Sequence, residues 1–219
     1  MRLAQLLDPD PVAPPPVVTP AQVGGPAAWQ DLVRCGALTL VRDASPGTGG
    51  TPVGVAAGTR LTPVHRALAL AAFTGGTLPA RAVLAGSSAA WAYTGLYEGV
   101  VVGLLADGGV PLELAHDAGV HRPDAPASAT VRCSPGLVQH TARLGGVPVT
   151  TPARTAADVA CRLPLEHAVP VLAALAAGDR DTPPVDLGAV ERALETRRRV
   201  VGRPAARRAL AAARARGPG

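Results

Sequence analysis

Short apolar segments, separated by glycine- and proline-rich stretches, predict a chain of short strands and short helices. The strand candidates are runs rich in valine, leucine and alanine that are bounded by turn residues. They are residues 38–42, 53–57, 82–85, 100–106, 110–115, 129–133, 137–143 and 147–149. The dipeptides Asp107-Gly108 and Gly145-Gly146 are favourable hairpin turns, so neighbouring candidates are expected to pair.

Helix candidates start at residues whose side chains can accept hydrogen bonds from the free amides of a first turn. The expected caps are Thr19, Thr62, Ser87 or Ser88, Thr151 and Asp186. The predicted helices are residues 19–23, 26–35, 64–73, 88–93, 152–163, 164–177, 186–199 and 205–215. The last of these is mostly Ala and Arg, with little to bury, so we expect that end to fray.

This order of elements predicts an α+β fold in three parts. Residues 1–60 would form a winged-helix-like N-terminal module, and residues 61–200 an α+β domain with a small mixed β-sheet and C-terminal helices. Residues 201–219 would form an Arg/Ala-rich C-terminal helix. Six prolines in residues 8–20 favour an extended linker near the start.

Composition limits the class of protein. Of 219 residues, 47% are apolar but only 2% are aromatic, so the core must consist of Ala, Val and Leu. No apolar run approaches the roughly 18 residues that a membrane span needs, and the apolar part of the N-terminus is too short for a signal peptide. We therefore expect a cytoplasmic protein. Cys35, Cys133 and Cys161 are odd in number and far apart, which favours buried free thiols over disulfides or a zinc ribbon.

The positive charge is concentrated near the C-terminus. All 21 basic residues are arginine, and residues 192–216 hold nine of them against Glu195 alone, a net charge of +8. Residues 1–191 hold 12 arginines against 15 acidic residues, a net charge of −3. An Arg cluster can bind phosphate backbones or an acidic protein, although a solvated Ala-rich helix fits this pattern equally well.

The N-terminal module is almost neutral. In a helix-turn-helix interpretation, residues 26–35 form the recognition helix, which buries Trp29, Leu32 and Val33 and turns Gln30, Asp31 and Arg34 outward. Residues 17–60 carry a net charge of only +1. This charge argues against a strongly electrostatic DNA interface, because phosphate contacts dominate the affinity of DNA-binding proteins.

The sharpest local pattern lies at residues 145–158. A Gly-Gly turn leads through a short strand to Thr151, a good helix N-cap, and Pro152 follows at the first helical position. Arg154 and Asp158 are four residues apart, so they share a helix face and can pair beside Thr155. Such a junction can simply order the start of a helix, or it can present a small polar site to a partner.

No catalytic, metal or cofactor site is predicted. The Gly86-Ser87-Ser88 turn lacks the G-x-S-x-G spacing of a nucleophilic serine. His116, Asp117 and His121 fit no established metal signature. Paired carboxylates at useful spacing and phosphate-binding loops are also absent from the sequence.

Three segments resemble a family that is common in actinobacteria. The sequence GVPVTTPART at residues 146–155, followed by Asp158, is similar to the signature of AbiEi-type antitoxins of type IV toxin–antitoxin systems. Residues 84–96 resemble the family's second conserved segment, and residues 18–23 with 32–38 resemble its winged-helix start. The resemblance extends over roughly residues 15–213, without the Vsr-like endonuclease-type domain of many members.

The resemblance implies a non-enzymatic antitoxin or transcriptional regulator. Its winged helix would bind operator DNA, with Gln30, Arg34 and Arg42 as the candidate contacts and the Arg-rich C-terminal helices as a second, non-specific surface. It would counteract a nucleotidyltransferase toxin without forming a stable complex with it. Thr151, Arg154, Thr155 and Asp158 would define the core motif of the second domain. The alternative is a protein-interaction module whose DNA binding has decayed.

Overall fold

The computed structural model describes residues 16–43, 50–96, 112–125, 129–196 and 201–216. Within these ranges the protein is α+β, with seven α-helices and two β-sheets of two and five strands. The α+β class predicted from the sequence is therefore confirmed. The strand expected at 100–106 and the turn at 107–109 lie outside the described residues.

The N-terminal part is a small helix–hairpin unit. A 3-10 helix, Pro20–Val23, leads through Gly24 and Gly25 to helix α1, Pro26–Arg34, as the sequence predicts. Strands β1, Leu38–Arg42, and β2, Val53–Ala56, form an antiparallel hairpin. Trp29 is buried on this hairpin, in contact with Gly54, whereas Leu32 and Val33 are only half-buried. The expected hairpin tip, residues 44–49, lies outside the described part of the chain.

The larger sheet is mixed, as predicted. Its strands are β3, Val83–Leu84, β4, Leu112–His116, β5, Ala129–Cys133, β6, Thr141–Leu144, and β7, Val147–Thr150. Their spatial order is β5-β4-β3-β7-β6, with parallel pairing of β4 with β5 and of β3 with β7. Gly145 and Gly146 both have positive φ in the β6–β7 turn, which only glycine adopts without strain.

The remaining helices pack around one another and around the sheet. They are α2, Pro63–Phe73, α3, Gly86–Thr94, α4, Pro152–Arg162, α5, Leu165–Ala177, α6, Leu187–Thr196, and α7, Arg203–Arg216. Helix α4 is central, because it contacts α3, α5, α6 and α7. One apolar cluster contains residues from 41 to 213 and consists mainly of Ala, Val and Leu, as the composition requires.

The predicted caps at Thr62, Thr151 and Asp186 are confirmed. The Thr62 and Thr151 side chains accept from backbone amides three residues on, and Asp186 accepts from the amides of Gly188 and Ala189. Helix α6 is described as far as residue 196. The predicted extension of this helix to residue 199 lies outside the described residues.

The strand expected at residues 137–143 is wrong in its first half. Val138–His140 form a 3-10 turn, and β6 begins only at Thr141. The turn forms because the Asp117 carboxylate accepts from the amides of Gly136 and Val138. An apolar run in the sequence does not reveal that a distant carboxylate holds its backbone in a turn.

The expectation that residues 205–215 have little to bury is also wrong. Helix α7 turns an Ala and Leu face into the main apolar cluster, where it packs against α4 and α5. The buried residues are Ala206, Ala209, Leu210 and Ala213. Small side chains suffice here because the neighbouring helices approach closely.

The three cysteines form no disulfide with one another, and not all of them are buried. Cys35 and Cys133 are exposed, and Cys161 is partly buried, so the expectation of buried thiols is wrong for the first two. None of the helices in the described part of the chain combines the length and hydropathy that crossing a bilayer requires.

Candidate functional site

The resemblance motif, residues 146–158, spans β7 and the N-terminal half of α4. The Thr151 hydroxyl accepts from the Arg154 amide, and Pro152 occupies the first helical position. The Arg154 Nε atom lies 3.3 Å from each carboxylate oxygen of Asp158. The predicted Arg154–Asp158 pair is therefore confirmed, and it is buried: the two side chains are only 7% and 11% exposed.

A third charged residue continues this row. Arg154, Asp158 and Arg162 are spaced by four residues, which places them on one face of the helix. The Arg162 Nη2 atom lies 3.9 Å from Asp158, and its Nη1 donates to Glu113 of β4 at 3.1 Å. Helix α4 thus presents alternating positive and negative side chains to the edge of the sheet that β4 and β5 form.

Strands β4 and β5 supply the opposing polar groups. Glu113 is opposite Thr130 in the parallel register, so Arg132 on β5 shares its face, and Ser134, directly after β5, continues the same alternation. The Arg154 Nη2 atom donates to the Ser134 hydroxyl, and the Arg132 Nε atom donates to Glu113 at 2.9 Å. We call Glu113, Arg132, Ser134, Arg154, Asp158 and Arg162 the ionic cluster.

Glu113 also determines how α3 begins. Its Oε2 accepts from the Ser87 amide at 3.0 Å and from the Ser87 hydroxyl at 3.1 Å, while its own amide donates to Ser88 Oγ. The prediction that Ser87 or Ser88 caps this helix is therefore wrong. The helix begins at Gly86 with Ala85 in the N-cap position, and the carboxylate from β4 serves its first turn.

The Thr155 side chain bonds β7 and takes no part in the ionic cluster's hydrogen bonds described above. Its hydroxyl bonds the Thr150 hydroxyl at 2.8 Å and the Thr150 carbonyl at 3.2 Å. That carbonyl also accepts from the Tyr93 hydroxyl at 2.9 Å. All three residues are buried, so these bonds hold α3, β7 and α4 together in the core.

The ionic cluster carries a small net positive charge. Three arginines face two carboxylates, a net charge of +1. Burial raises the pKa of Asp158 above its usual value, and the nearby charges of Arg154 and Arg162 only partly offset this effect. One donor is left over, because the buried Nη1 of Arg154 has no hydrogen-bond partner among the described residues.

The serine hydroxyls near the ionic cluster hydrogen-bond to its charged side chains. The Ser87 hydroxyl donates to the Glu113 carboxylate, and the Ser134 hydroxyl accepts from the Arg154 guanidinium. A cavity of about 510 Å³ adjoins the motif, with Thr151, Arg154 and residues of α6 in its wall.

His116 and Asp117 serve the fold of their loop. The Nδ1 atom of His116 lies 3.1 Å from the Asp117 carbonyl. Hydrogen bonds from the amides of Val138, Ala118 and Gly136 hold the pKa of Asp117 below its usual value. Across the described ranges, no three His, Cys, Asp or Glu side chains are grouped as metal ligands.

The candidate DNA contacts lie on the N-terminal unit, away from α4 in the chain. Gln30 and Arg34 are exposed on α1, as predicted, and Arg34 pairs with Asp31 at 2.8 Å. The guanidinium of Arg42, on β1, lies over the Phe73 ring at 4.2 Å. The structure thus separates these three residues into two exposed polar positions and one that packs on an aromatic ring.

Sequence reasoning did not identify the β4 and β5 members of the ionic cluster. One signal was available: Glu113 is the single charge in an otherwise apolar strand candidate. A lone carboxylate in a buried strand requires charged or polar partners. The spacing of Arg162 from Asp158 was a second signal.

Proteins of known family offer no further guide to this site, since no family model matches the chain and no curated protein has a significantly similar sequence.

Proposed function

We propose that this protein is an AbiEi-like antitoxin or transcriptional regulator that binds operator DNA through a winged helix formed by the N-terminal unit. The observation that carries the proposal is the placement of α1. Its Trp29 side is anchored on the β1–β2 hairpin, and its opposite side exposes Gln30 and Arg34. A helix held in this way, behind a turn and beside a hairpin, suits entry into a major groove.

The Arg34–Asp31 pair is compatible with this role. Both side chains are mostly exposed, at 76% and 70%, and an exposed ion pair contributes at most about 1 kcal/mol. A DNA phosphate or a guanine edge can therefore compete with Asp31 for the guanidinium. Arg42 would contribute positive charge from the hairpin.

The exposed arginines of α7 would form the second, non-specific surface. Arg207 pairs with Glu195, and Arg214 pairs with Glu191. These pairs reduce the local charge, so we expect this surface to contribute general electrostatic attraction. Counteraction of a nucleotidyltransferase toxin, without a stable complex, rests on the family resemblance alone.

A protein-interaction module is the second candidate function. Two of the three candidate DNA contacts already have partners within the chain, Asp31 for Arg34 and the Phe73 ring for Arg42. The net charge of only +1 over residues 17–60 favours the same alternative.

Fluorescence anisotropy against the DNA upstream of the protein's own coding sequence, across a salt series, distinguishes these functions. We expect selective binding that the double variant Gln30→Ala/Arg34→Ala weakens at least about tenfold, the loss of roughly one good base contact. The matched control is Arg207→Ala/Arg208→Ala, which should weaken binding equally for all sequences. Absence of binding would favour the protein-interaction module.

Counteraction of a toxin needs its own test. Co-expression with a nucleotidyltransferase toxin of a type IV system should restore the growth of cells that the toxin inhibits. The two proteins should not co-purify. Unchanged toxicity in the presence of the folded protein would contradict the antitoxin proposal, whatever the result with DNA.

A further inference from the structure

We propose that strand β6 and the groove beside it bind an extended peptide segment of another protein, in which apolar side chains alternate with acidic ones. The peptide adds to β6 as a further strand of the larger sheet. This inference does not rest on the proposed DNA binding, because its residues lie outside the N-terminal unit. It rests on three features: the free edge of β6, an apolar groove along that edge, and two exposed arginines in the groove wall.

The outer edge of β6 has unpaired backbone groups. Strand β6 is the last of the five-stranded sheet, with β7 as its neighbour. The Thr151 amide donates to the His140 carbonyl, and hydrogen-bonded pairs alternate along an antiparallel ladder, so every second residue after His140 bonds β7. The residues in between, Thr141 and Arg143, direct their amides and carbonyls outward. Within the described part of the chain, no residue bonds these four groups. Such groups are what an added strand pairs with.

A groove of about 900 Å³ lies along this edge. Thr141, Ala142 and Arg143 all line it. Side chains alternate between the two faces of a strand, so three consecutive residues in one wall place the strand's edge, and not merely one face, at the groove. The remaining wall comes mainly from β3, β7 and the loops before β3 and β6. Its larger apolar members are Leu78, Pro79, Val83, Leu137, Val138 and Pro148.

Hydrogen bonds fix the walls of the groove. The Asp117 carboxylate accepts from the amides of Gly136 and Val138, which joins two loops of the wall. In the loop before β3, the Ala82 amide donates to the Pro79 carbonyl at 2.9 Å. The turn that precedes β6 leaves the Val138 side chain 78% exposed, where an apolar side chain of the peptide can cover it. A site with preformed walls loses little entropy when a peptide binds.

The charges in the groove wall favour acidic side chains. Arg81 and Arg143 are both exposed, and neither forms an ion pair with a carboxylate of the described residues. The Arg143 Nη1 atom donates to the Gly146 carbonyl at 2.7 Å, which places this guanidinium at the turn between β6 and β7. Asp117, the third charged residue of the wall, already accepts from backbone amides. A second copy of β6 fits this edge poorly, because pairing two copies would bring four arginines together.

Fluorescence anisotropy of the full chain with two labelled octapeptides tests this inference. One peptide alternates Val with Glu, and the other alternates Val with Lys. We expect saturable binding of the Val/Glu peptide with a Kd of about 1 mM or tighter, and at least about tenfold tighter than that of the Val/Lys peptide, because like charges repel. Equal binding of both peptides, or no Val/Glu binding in this range, overturns the proposal. Self-association that competes with the Val/Glu peptide assigns the edge to a second copy and overturns it as well.

Two N-methylated forms of the Val/Glu peptide test strand addition. Successive amides of a strand point to opposite edges, so methyl groups on the valine amides alone, or on the glutamate amides alone, block one edge each. We expect one form to bind at least about tenfold more weakly than the unmodified peptide and the other to keep its affinity. Equal affinities of the two forms overturn strand addition.

Amide hydrogen exchange and one matched pair of variants locate the peptide. The outward amides of Thr141 and Arg143 should exchange rapidly in the free protein and more slowly with the Val/Glu peptide bound. Arg143→Glu changes the net charge of the groove wall from +1 to −1, so it should transfer the preference to the Val/Lys peptide. Arg180→Glu, at an exposed arginine outside the groove, should leave the preference unchanged. Unchanged exchange at both amides with peptide bound, or an unchanged preference in Arg143→Glu, overturns the assignment to β6.

Discussion

The Oε1 atom of Glu113 lies 3.1 Å from Nη1 of Arg162, which joins the middle of β4 to the last turn of α4 across 49 residues of sequence. The same oxygen accepts from Arg132 on β5 at 2.9 Å, and the other carboxylate oxygen serves the first turn of α3. One side chain therefore connects two strands and two helices, and four predictions follow from its surroundings and from those of its neighbours.

Replacing Glu113 by Ala should destabilise the fold strongly. The change leaves two arginines and the Ser87 amide without their acceptor. We expect a loss of about 2–4 kcal/mol, below the full cost of breaking a buried pair because Arg132 and Arg162 are 48% and 34% exposed. Urea denaturation measures the loss. Asp31→Ala, which breaks the exposed pair with Arg34, should cost less than about 1 kcal/mol, and an equal effect of both changes would contradict the role of Glu113.

Gly86→Ala should be more harmful than a comparable change elsewhere. Gly86 has a φ of +50°, and a Cβ there would overlap the Glu113 carboxylate. We expect a loss of about 3 kcal/mol or more, from backbone strain and steric overlap together. Gly58 has a similarly positive φ of +79° but open space around it, so Gly58→Ala isolates the backbone strain and should cost about 1–2 kcal/mol. Equal losses in thermal or chemical denaturation would show that the overlap is relieved.

Asp158 should make the protein less stable as pH rises through the acidic range. Its pKa is raised by burial above the ordinary value of 3.8, so between these values the folded chain still holds a proton that the unfolded chain has released. The free energy of unfolding should therefore fall with rising pH in this interval, relative to that of Asp158→Asn, and level off above it.

Asp117 provides the control of opposite sign. Its pKa is lowered by backbone hydrogen bonds, so its contribution to stability is present above 3.8 and is lost as pH falls through the folded pKa. Denaturation of wild type, Asp158→Asn and Asp117→Asn over a series of pH values compares the two slopes. Parallel slopes for both variants would contradict the assignment.

Tyr93 should become a source of instability at alkaline pH. Burial raises its pKa from 10.0 to about 12. The unfolded chain ionises first, so wild type should lose stability relative to Tyr93→Phe as pH rises between these values. At neutral pH, Tyr93→Phe should cost only about 1 kcal/mol, because the Thr150 carbonyl keeps its bond from Thr155. Tyrosinate absorbance should lose its most alkaline component in the variant. If that component remains, it belongs to another group.

Local patterns in the sequence predicted much of the secondary structure. The caps at Thr62, Thr151 and Asp186 and the turn at Gly145-Gly146 depend on residues within a few positions of one another. The pairing of Arg154 with Asp158 follows from helical geometry alone. These features could be read from the sequence because the chain cannot separate neighbours that are four residues apart.

Contacts between residues far apart in the sequence decided the features that local patterns predicted wrongly. The serines after β3 have the pattern of helix caps. In the structure, however, the amide and hydroxyl of Ser87 donate to the Glu113 carboxylate of β4. Residues 137–143 resembled a strand, but Asp117 holds the backbone of the first half in a turn. In both cases a distant acidic side chain outweighed the local preference by accepting hydrogen bonds from backbone amides of the segment.

The amino-acid sequence by itself determined the α+β class, most helix starts and the charged face of α4, since these follow from periodicity and capping within single elements. Only the tertiary structure decided that Glu113, Arg132 and Ser134 meet that face, that the Ala and Leu side of α7 is buried, and that a cavity opens beside Arg154. The reason is physical: burial and charge pairing depend on which elements come together, and the chain brings them together over separations that no local pattern encodes.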